Sequence, residues 1–563
     1  MRILDKFTLL YSSYLSSVSI FNTLTNRAVL RERPAIPYFW DVFRYRILQL
    51  PVPLEEKERP LPFLARAVGL APSKIKSWRP ARLSLDNRRE HRICWVWQID
   101  FETDEWIEET PNVVAREEEE GTPLLETPGS ADFPDEIHVV GAGPAGLWAA
   151  WTFARRGYRV VLHERGRAVE ERYRDIRLFL KSRELDPESN ILFGEGGAGL
   201  YSDGKLTSRT RNAFTAQVLD DLVSLGAPAE VRYFSKAHLG TDRLQLHLKT
   251  LRAKLLELGA EIRFGSRVEE IDVRDGRVRA LRANGKEVPA ECVVLATGHS
   301  ARDTYRSLHR SGVQLEPKGF ALGIRAEHPQ SLIDRRHFGA AADLSLTGAA
   351  EYVLKAPADR GGAYSFCMCP GGVLVPCSTA PGQLATNGMS YSGRSGKFAN
   401  AGIVVPVDLS ARGLFAGVEF QEELETRAFE MGGRNYGAPA QSISAFVADR
   451  PDRRPLPESS YPAGLVPARL SELFGREIAG VLAASLVHFD RKIPGFVDRG
   501  LAVAPETRTS SPLRILRDPE TLQATGTEGL YPLGEGAGYA GGIVSSAADG
   551  VRLATLAKTR RRG

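Results

Sequence analysis

Strand-length apolar runs and helical stretches alternate along much of this chain, with glycine-rich turns between them. Ile137–Val140 reads as a buried strand. It runs into Gly141-Ala142-Gly143-Pro144-Ala145-Gly146, a G-x-G-x-x-G that opens a helix through Trp148–Arg156. A second strand, Arg159–His163, ends at Glu164. Further on, the pattern predicts a helix over Arg243–Leu258 and a strand over Glu261–Phe264. A β-meander is expected over Val268–Val273, Val278–Arg282 and Cys292–Ala296, with turns at Asp275-Gly276 and Asn284-Gly285. Nearer the start, a strand at Arg46–Leu50 precedes a helical stretch around Leu61–Val68, a loop with Pro72, and strands around Trp78–Leu85 and Arg92–Phe101. The last is rich in aromatic and β-branched residues.

The first strand–turn–helix–strand unit has the chemistry of a dinucleotide site. Gly141 permits the tight turn, Gly143 lets backbone N–H groups approach a pyrophosphate, and Gly146 allows close helix–strand packing. The pyrophosphate then rests on the positive end of the helix dipole, at Pro144 and Ala145. Glu164, followed by Arg165, is placed to accept the hydroxyls of an adenosine ribose. Near the other end, Gly529–Gly550 is a short apolar strand, an acid (Glu535), a glycine-rich turn with Gly541 and Gly542, and a small-residue helix from Ile543. In two-dinucleotide flavoproteins such a segment returns to the FAD domain, as does a strand ending in Ala-Thr-Gly, here Val293–Gly298. The three segments together select FAD over NAD. No His or Cys stands at an identifiable flavin attachment position, so non-covalent binding is expected.

At 563 residues the chain accommodates two or three domains. A formal charge of +5 over that length is nearly neutral, which argues against a nucleic-acid partner. Five sparse cysteines without a framework spacing suggest a reducing compartment, and a cytoplasmic location is expected. No apolar run reaches membrane-spanning length. Residues 1–45 read as an N-terminal extension, although their few acids and several Ser and Thr are shared by organelle transit peptides. Residues 46–101 suggest a ferredoxin-like accessory domain without an iron–sulfur cysteine pattern. Residues 102–134, with Glu117–Glu120 and several prolines, read as an acidic flexible linker. The FAD-binding domain is expected over 135–314, an inserted substrate or cap domain over 315–500, and the returning FAD segment over 501–563.

Residues 192–206 contain five glycines, expected where a loop presses against something flat and large. Gly197 and Gly199 are its candidate flavin contacts, and Lys205 would place positive charge near the flavin N1–C2=O edge. Cys367 and Cys369 lie on a strand, where alternation would point both sulfurs the same way. They could be packing residues, a flavin-coupled dithiol or, with Cys377, metal ligands; a metal is disfavoured because no His cluster accompanies them. His299, just after Ala-Thr-Gly, and His488 are the histidines nearest recognisable features. Lys205, Cys367, Cys369 and His299 are thus the catalytic candidates, with the assignment left open.

The chain resembles a largely uncharacterised family of FAD-dependent dehydrogenases of bacteria and plastids. The resemblance spans roughly Leu48 to Ala557 and rests on long motifs: Ser189–Leu206, Gly298–Thr304, Ile324–Gln330, Tyr364–Gly372, Asn387–Ser390, Arg508–Ile515 and Tyr531–Gly550. Ser84–Arg89 matches the family's N-terminal pattern. The resemblance implies an α/β architecture, with a glutathione-reductase-like Rossmann FAD domain and an inserted α+β substrate domain. It also implies FAD contacts at Gly141, Gly143, Gly146, Glu164, Glu535, Gly541 and Gly542. No second strand–G-x-G-x-x-G–helix is evident. The electron donor is then either bound transiently, as NAD(P)H would be, or the substrate itself. The expected function is transfer of a hydride or electron pair between flavin and a small organic substrate. A flavin-dependent tRNA-modifying enzyme and a redox-sensing binding protein stand as alternatives.

Overall fold

A computed structural model describes residues 42–88, 93–117, 124–127, 129–208, 210–339, 343–357 and 361–560. Most of the N-terminal extension, Arg92 and Glu118–Glu120 lie outside them. The first unit comprises β1 (Phe43–Val52), α1 (Leu61–Val68), β2 (Ile75–Asp86), β3 (Cys94–Thr103) and β4 (Val113–Ala115). Its antiparallel sheet has the order β2-β3-β1-β4. Strict alternation along β3 sends Trp95, Trp97, Ile99 and Phe101 to the buried face, against Leu64 of α1. The strand β4 corrects the sequence reading, because it lies within the segment expected to be a flexible tether. Val113 and Val114 pair with Ile47 and Arg46, so the acidic stretch around them does not prevent a short edge strand.

The second unit begins with β5 (Glu136–Val140), α2 (Pro144–Arg155), β6 (Arg159–Glu164) and α3 (Val169–Ser182). It continues through α4 (Ala213–Ser224), α5 (Gly240–Glu257), β7 (Glu261–Phe264), β8 (Val268–Arg274), β9 (Arg277–Ala283), β10 (Lys286–Pro289), β11 (Val293–Leu295) and α6 (Arg302–Arg310). The third meander strand is therefore β10. Val293–Leu295 instead joins the parallel sheet beside β5, where its wholly apolar sequence is buried on both faces. Glycines set the close approaches. Gly141 takes φ +104°, and a Cβ there would lie 2.5 Å from the Ala296 carbonyl oxygen. A Cβ on Gly146 would sit 1.9 Å from the Gly141 oxygen, as the packing role assigned to it requires.

A short strand, β12 (Leu315–Pro317), leads into the inserted unit. This unit contains β13 (Phe320–Pro329), α7 (Gln330–Phe338), α8 (Leu344–Thr347), β14 (Tyr364–Pro376), β15 (Thr386–Met389), β16 (Phe398–Val407) and α9 (Ala416–Met431). It ends with β17 (Ala438–Ser442), α10 (Ile443–Val447), β18 (Leu465–Pro467), α11 (Leu470–Lys492) and β19 (Leu501–Glu506). Its seven-stranded sheet runs β15-β14-β16-β13-β19-β17-β18. Because β19 pairs with β13 and β17, the insertion continues past residue 500, where the sequence suggested that it ends. The chain then returns through β20 (Leu513–Ile515), paired with β12, to β21 (Leu530–Pro532) and α12 (Ile543–Leu556). This completes a parallel sheet of order β21-β11-β5-β6-β7. α12 packs on α2 closely enough that a Cβ on Gly550 would lie 2.3 Å from the Ala145 oxygen.

Candidate functional site

A deep cleft opens at the carboxyl ends of the parallel strands, where ligands of open α/β sheets bind. Val140, Glu164, Ala296 and Leu533, at or just beyond the ends of β5, β6, β11 and β21, line it. Of the sequence-derived cofactor positions, Gly141, Gly143, Pro144, Ala145, Glu164, Arg165, Gly197, Gly199, Gly298, Glu535, Gly542 and Ile543 face this cleft. Gly146 and Gly541 are not in its lining: the former packs helix against strand, and the latter lies exposed in the turn before α12. Lys205, His299 and Cys367 also line the cleft, whereas Cys369 and Cys377 are buried behind its wall. His488, on α11, is outside the lining.

The end of the cleft at the N-terminus of α2 is built largely from backbone. Glu164 is nearly buried, and its carboxylate accepts from Ala142 N (2.7 Å), Gly166 N (2.9 Å) and Gly194 N (3.0 Å). These donors hold it in one orientation against the cleft. A Cβ on Gly143 would meet nothing within 4 Å, since this position points into open space. Gly197 faces it, with its own notional Cβ 3.1 Å from Gly143 Cα. Such a Cβ-free cradle at the N-terminus of α2 fits a pyrophosphate.

The glycine loop is held by a residue that the sequence reading passed over. Arg172, on α3, is fully buried and donates to the carbonyls of Asn190 (2.8 Å), Ile191 (2.9 Å), Gly194 (3.3 Å), Glu195 (2.7 Å) and Gly197 (2.9 Å). A guanidinium has five N–H donors in a fixed fork, and here they fasten the loop from behind. Burial draws the Arg172 pKa down to about 10. A single arginine in a polar helix carries no signal of this in sequence.

Lys205 departs from expectation in a different way. Its ammonium bonds Asp203 Oδ2 (2.6 Å) and the Met368 carbonyl (2.7 Å), and lies 3.3 Å from Glu351. Asp203 is also paired with Arg394. The lysine that the sequence placed near a flavin edge thus lines the cleft while also engaged in a bridge to the inserted unit. His299 donates its Nε2–H to the Arg508 carbonyl (3.1 Å). Burial, helped by Arg508 and Arg302, depresses its pKa to about 4, so the imidazole is neutral at pH 7. Burial pushes the neighbouring Glu535 carboxyl up to about 7, against the pull of Lys318.

Two buried arginine–carboxylate clusters tie the inserted unit to the cleft. Glu425 accepts from Arg302 (2.8 and 2.9 Å), Arg508 (2.8 and 3.1 Å) and Thr507 (2.6 Å). Arg325 is inaccessible to solvent; it lies 3.3 Å from Glu506 and bonds Asn400 (2.9 Å) and the Cys367 carbonyl (2.6 Å). Burial raises the Glu506 carboxyl to about 7. Among the described residues no group of His, Cys, Asp and Glu could hold a metal ion, and no helix is long and apolar enough to cross a membrane.

Comparison with known proteins accords with this geometry. Residues 319–509 match the model of a FAD-dependent protein, C-terminal domain-like; residues 226–360 match FAD dependent oxidoreductase; residues 139–182 match an NAD(P)-binding Rossmann-like domain. An uncharacterized protein of Clostridium beijerinckii is 44% identical over 424 residues, covering 74% of this chain and 79% of its own length. The chain belongs to the FAD-dependent oxidoreductase family. FAD is the family's cofactor, and its members are enzymes; neither alternative class raised by the sequence is favoured. The thiamine thiazole synthase of Aeropyrum pernix is 30% identical over 200 residues, covering 33% of this chain and 62% of its own. Among solved structures, the L-proline dehydrogenase of P. horikoshii is similar at 12% identity and a TM-score of 0.35, covering 76% of this chain and 94% of that one.

Proposed function

We propose that the cleft holds FAD extended from Glu164 to the inserted unit, and that a small organic substrate is oxidised or reduced at the inserted end. Glu164 would take the adenosine ribose, with Arg165 beside it. Residues Gly141–Ala145 would take the pyrophosphate, and Gly197, Gly199, Gly298, Glu535, Gly542 and Ile543 would surround the rest. The open face of Gly143 carries this reading, because it leaves free space bordered by backbone on a helix N-terminus, where a phosphate would be favoured. Bound FAD supplies a centre that accepts or donates an electron pair. The wall facing it is Phe366, Cys367, Asn387, Arg508 and Thr509. Arg508, which shares the Glu425 carboxylate with Arg302, is the cation of this wall and would suit a carboxylate or carbonyl group of a substrate.

In this reading, residues 135–314 and 507–563 contribute the FAD-binding domain, with β19 (Leu501–Glu506) as part of the insertion, and the parallel sheet supports a glutathione-reductase-like relation. The N-terminal unit supports a ferredoxin-like strand order, with the loop before β4 in place of a second helix. Five unpaired cysteines support a reducing, cytoplasmic location. NAD(P)H would serve only as a transient donor.

Anaerobic mixing of the purified yellow protein with a panel of small organic acids, amines and NAD(P)H tests the function. Bleaching by at least one small organic compound is expected, and bleaching by none would overturn the substrate assignment. A second expectation concerns pH. A pyrophosphate near Glu535 favours its protonated form, so FAD affinity should fall as pH rises through about 7. The fall should approach tenfold per pH unit at most, and Glu535→Gln should flatten it. An unchanged slope in that variant would place the pH dependence elsewhere.

A further inference from the structure

Cys367 and Cys369 were expected on one face of a regular strand, but β14 is not regular there. Its pairing with β16 slips between Phe366 and Cys369, and Cys367 adopts φ +42°, in the left-handed region that residues with a Cβ seldom occupy. The slip breaks the alternation. Cys367 is turned into the cleft lining, beside Phe366 and Asn387, while Cys369 stays inside the wall with no solvent exposure.

The two thiols remain neighbours. Cys369 Sγ lies 3.4 Å from the Cys367 carbonyl and 3.3 Å from Arg325 Nη2, which also holds that carbonyl. Neither sulfur is in a disulfide. A hydrogen bond from Cys369, together with the Arg325 and Lys205 charges, holds the Cys367 thiol below its usual range. The hydrogen bond to Cys367 and burial hold the Cys369 thiol above it. Of the two, Cys367, which faces the cleft, therefore gives up its proton more readily than Cys369 behind it. An accessible thiolate with a partner thiol in reach is the arrangement of a redox-active pair.

We propose that Cys367 and Cys369 form a redox-active dithiol that exchanges an electron pair with the FAD bound in this cleft, an inference that rests on the cofactor placement above. As the sulfur–sulfur bond forms, the Cys367 thiolate and the Cys369 thiol together release two electrons and one proton. The oxidised flavin takes up both electrons and that proton, so charge and atoms balance without another reactant. In the reverse direction, flavin reduced by substrate opens the disulfide, and Arg325 stabilises the thiolate that reappears. The pair would thus store a second electron pair beside the flavin. The irregular strand bears on this: two residues apart on a regular strand the sulfurs would be poorly set for a disulfide dihedral, and the register slip with the left-handed Cys367 removes that regular geometry.

The test uses the holoenzyme, whose visible flavin absorbance is recorded first; a colourless preparation overturns the cofactor placement, and this inference with it. Anaerobic dithionite titration of the yellow protein should take four electrons per flavin in the native enzyme, against two in Cys369→Ser and in Cys367→Ser. Independently, the oxidised holoenzyme is denatured in alkylating reagent and its peptides are weighed. The peptide carrying both cysteines should be unmodified and lighter by two hydrogens, and should become doubly alkylated after reduction. Native enzyme that titrates with two electrons while both cysteines alkylate in the oxidised state would overturn the proposal, whether or not either variant folds.

Discussion

Gly143→Val is expected to yield folded protein without flavin. The backbone at this position, φ −78° and ψ −179°, suits any residue, and a Cβ there meets no protein atom within 4 Å. Nothing in the fold opposes the substitution. The added isopropyl group would stand in the cleft, at the N-terminus of α2, where the pyrophosphate needs backbone N–H groups within hydrogen-bonding distance. A loss of at least about a thousandfold in FAD affinity, about 4 kcal/mol, is expected. Flavin content per chain and isothermal titration of the apoprotein measure it, with far-UV circular dichroism as the control for folding. Stoichiometric flavin in the purified variant would displace the pyrophosphate from this turn. Gly146→Ala provides the contrast: its Cβ would lie 1.9 Å from the Gly141 oxygen, so it should damage the fold itself.

The second large effect is expected at Glu425, far from any sequence motif. Its carboxylate is wholly buried between Arg302, at the start of α6, and Arg508, beyond β19, so it joins the inserted unit to the FAD unit. Glu425→Gln leaves two buried guanidinium groups without an anion. Breaking a buried pair by removing one partner costs roughly 3–5 kcal/mol, and this anion serves two cations. Urea unfolding followed by fluorescence should show that loss, and a variant within about 1 kcal/mol of the native protein would show that the cluster contributes little. The pH dependence has a definite sign. Although burial alone would raise it, Arg302 and Arg508 hold the folded-state pKa at about 2, below the ordinary carboxyl value of 4.5. The stabilisation is therefore complete above about pH 4.5 and is lost as pH falls towards 2, whereas the variant should lack this component of acid sensitivity.

The sequence by itself determined the strand–turn–helix–strand unit that lines one end of the cleft. A strand, a G-x-G-x-x-G turn, a helix and an acid are contiguous, and their geometry follows from local rules: the positive φ of Gly141, the side-chain-free Gly143 and the strand period that ends at Glu164. The returning segment was legible for the same reason, since β21, Glu535 and α12 follow one another along the chain. Tertiary structure decided the rest. Whether Val293–Leu295 extends the meander or enters the parallel sheet depends on β5 and β21, which are distant in sequence. Similarly, β4 exists because β1 offers it an edge, and β19 belongs to the insertion because β13 and β17 flank it. The charged residues were the least legible. Arg172, Arg325 and Glu425 read as ordinary charges in a one-dimensional pattern, and Lys205 as a charge for a flavin edge, but each is buried or engaged by partners from elsewhere in the chain. Periodicity records which face of an element is apolar. It carries no information about which distant carboxylate or carbonyl will meet a buried cation, because that pairing is set only when the elements pack.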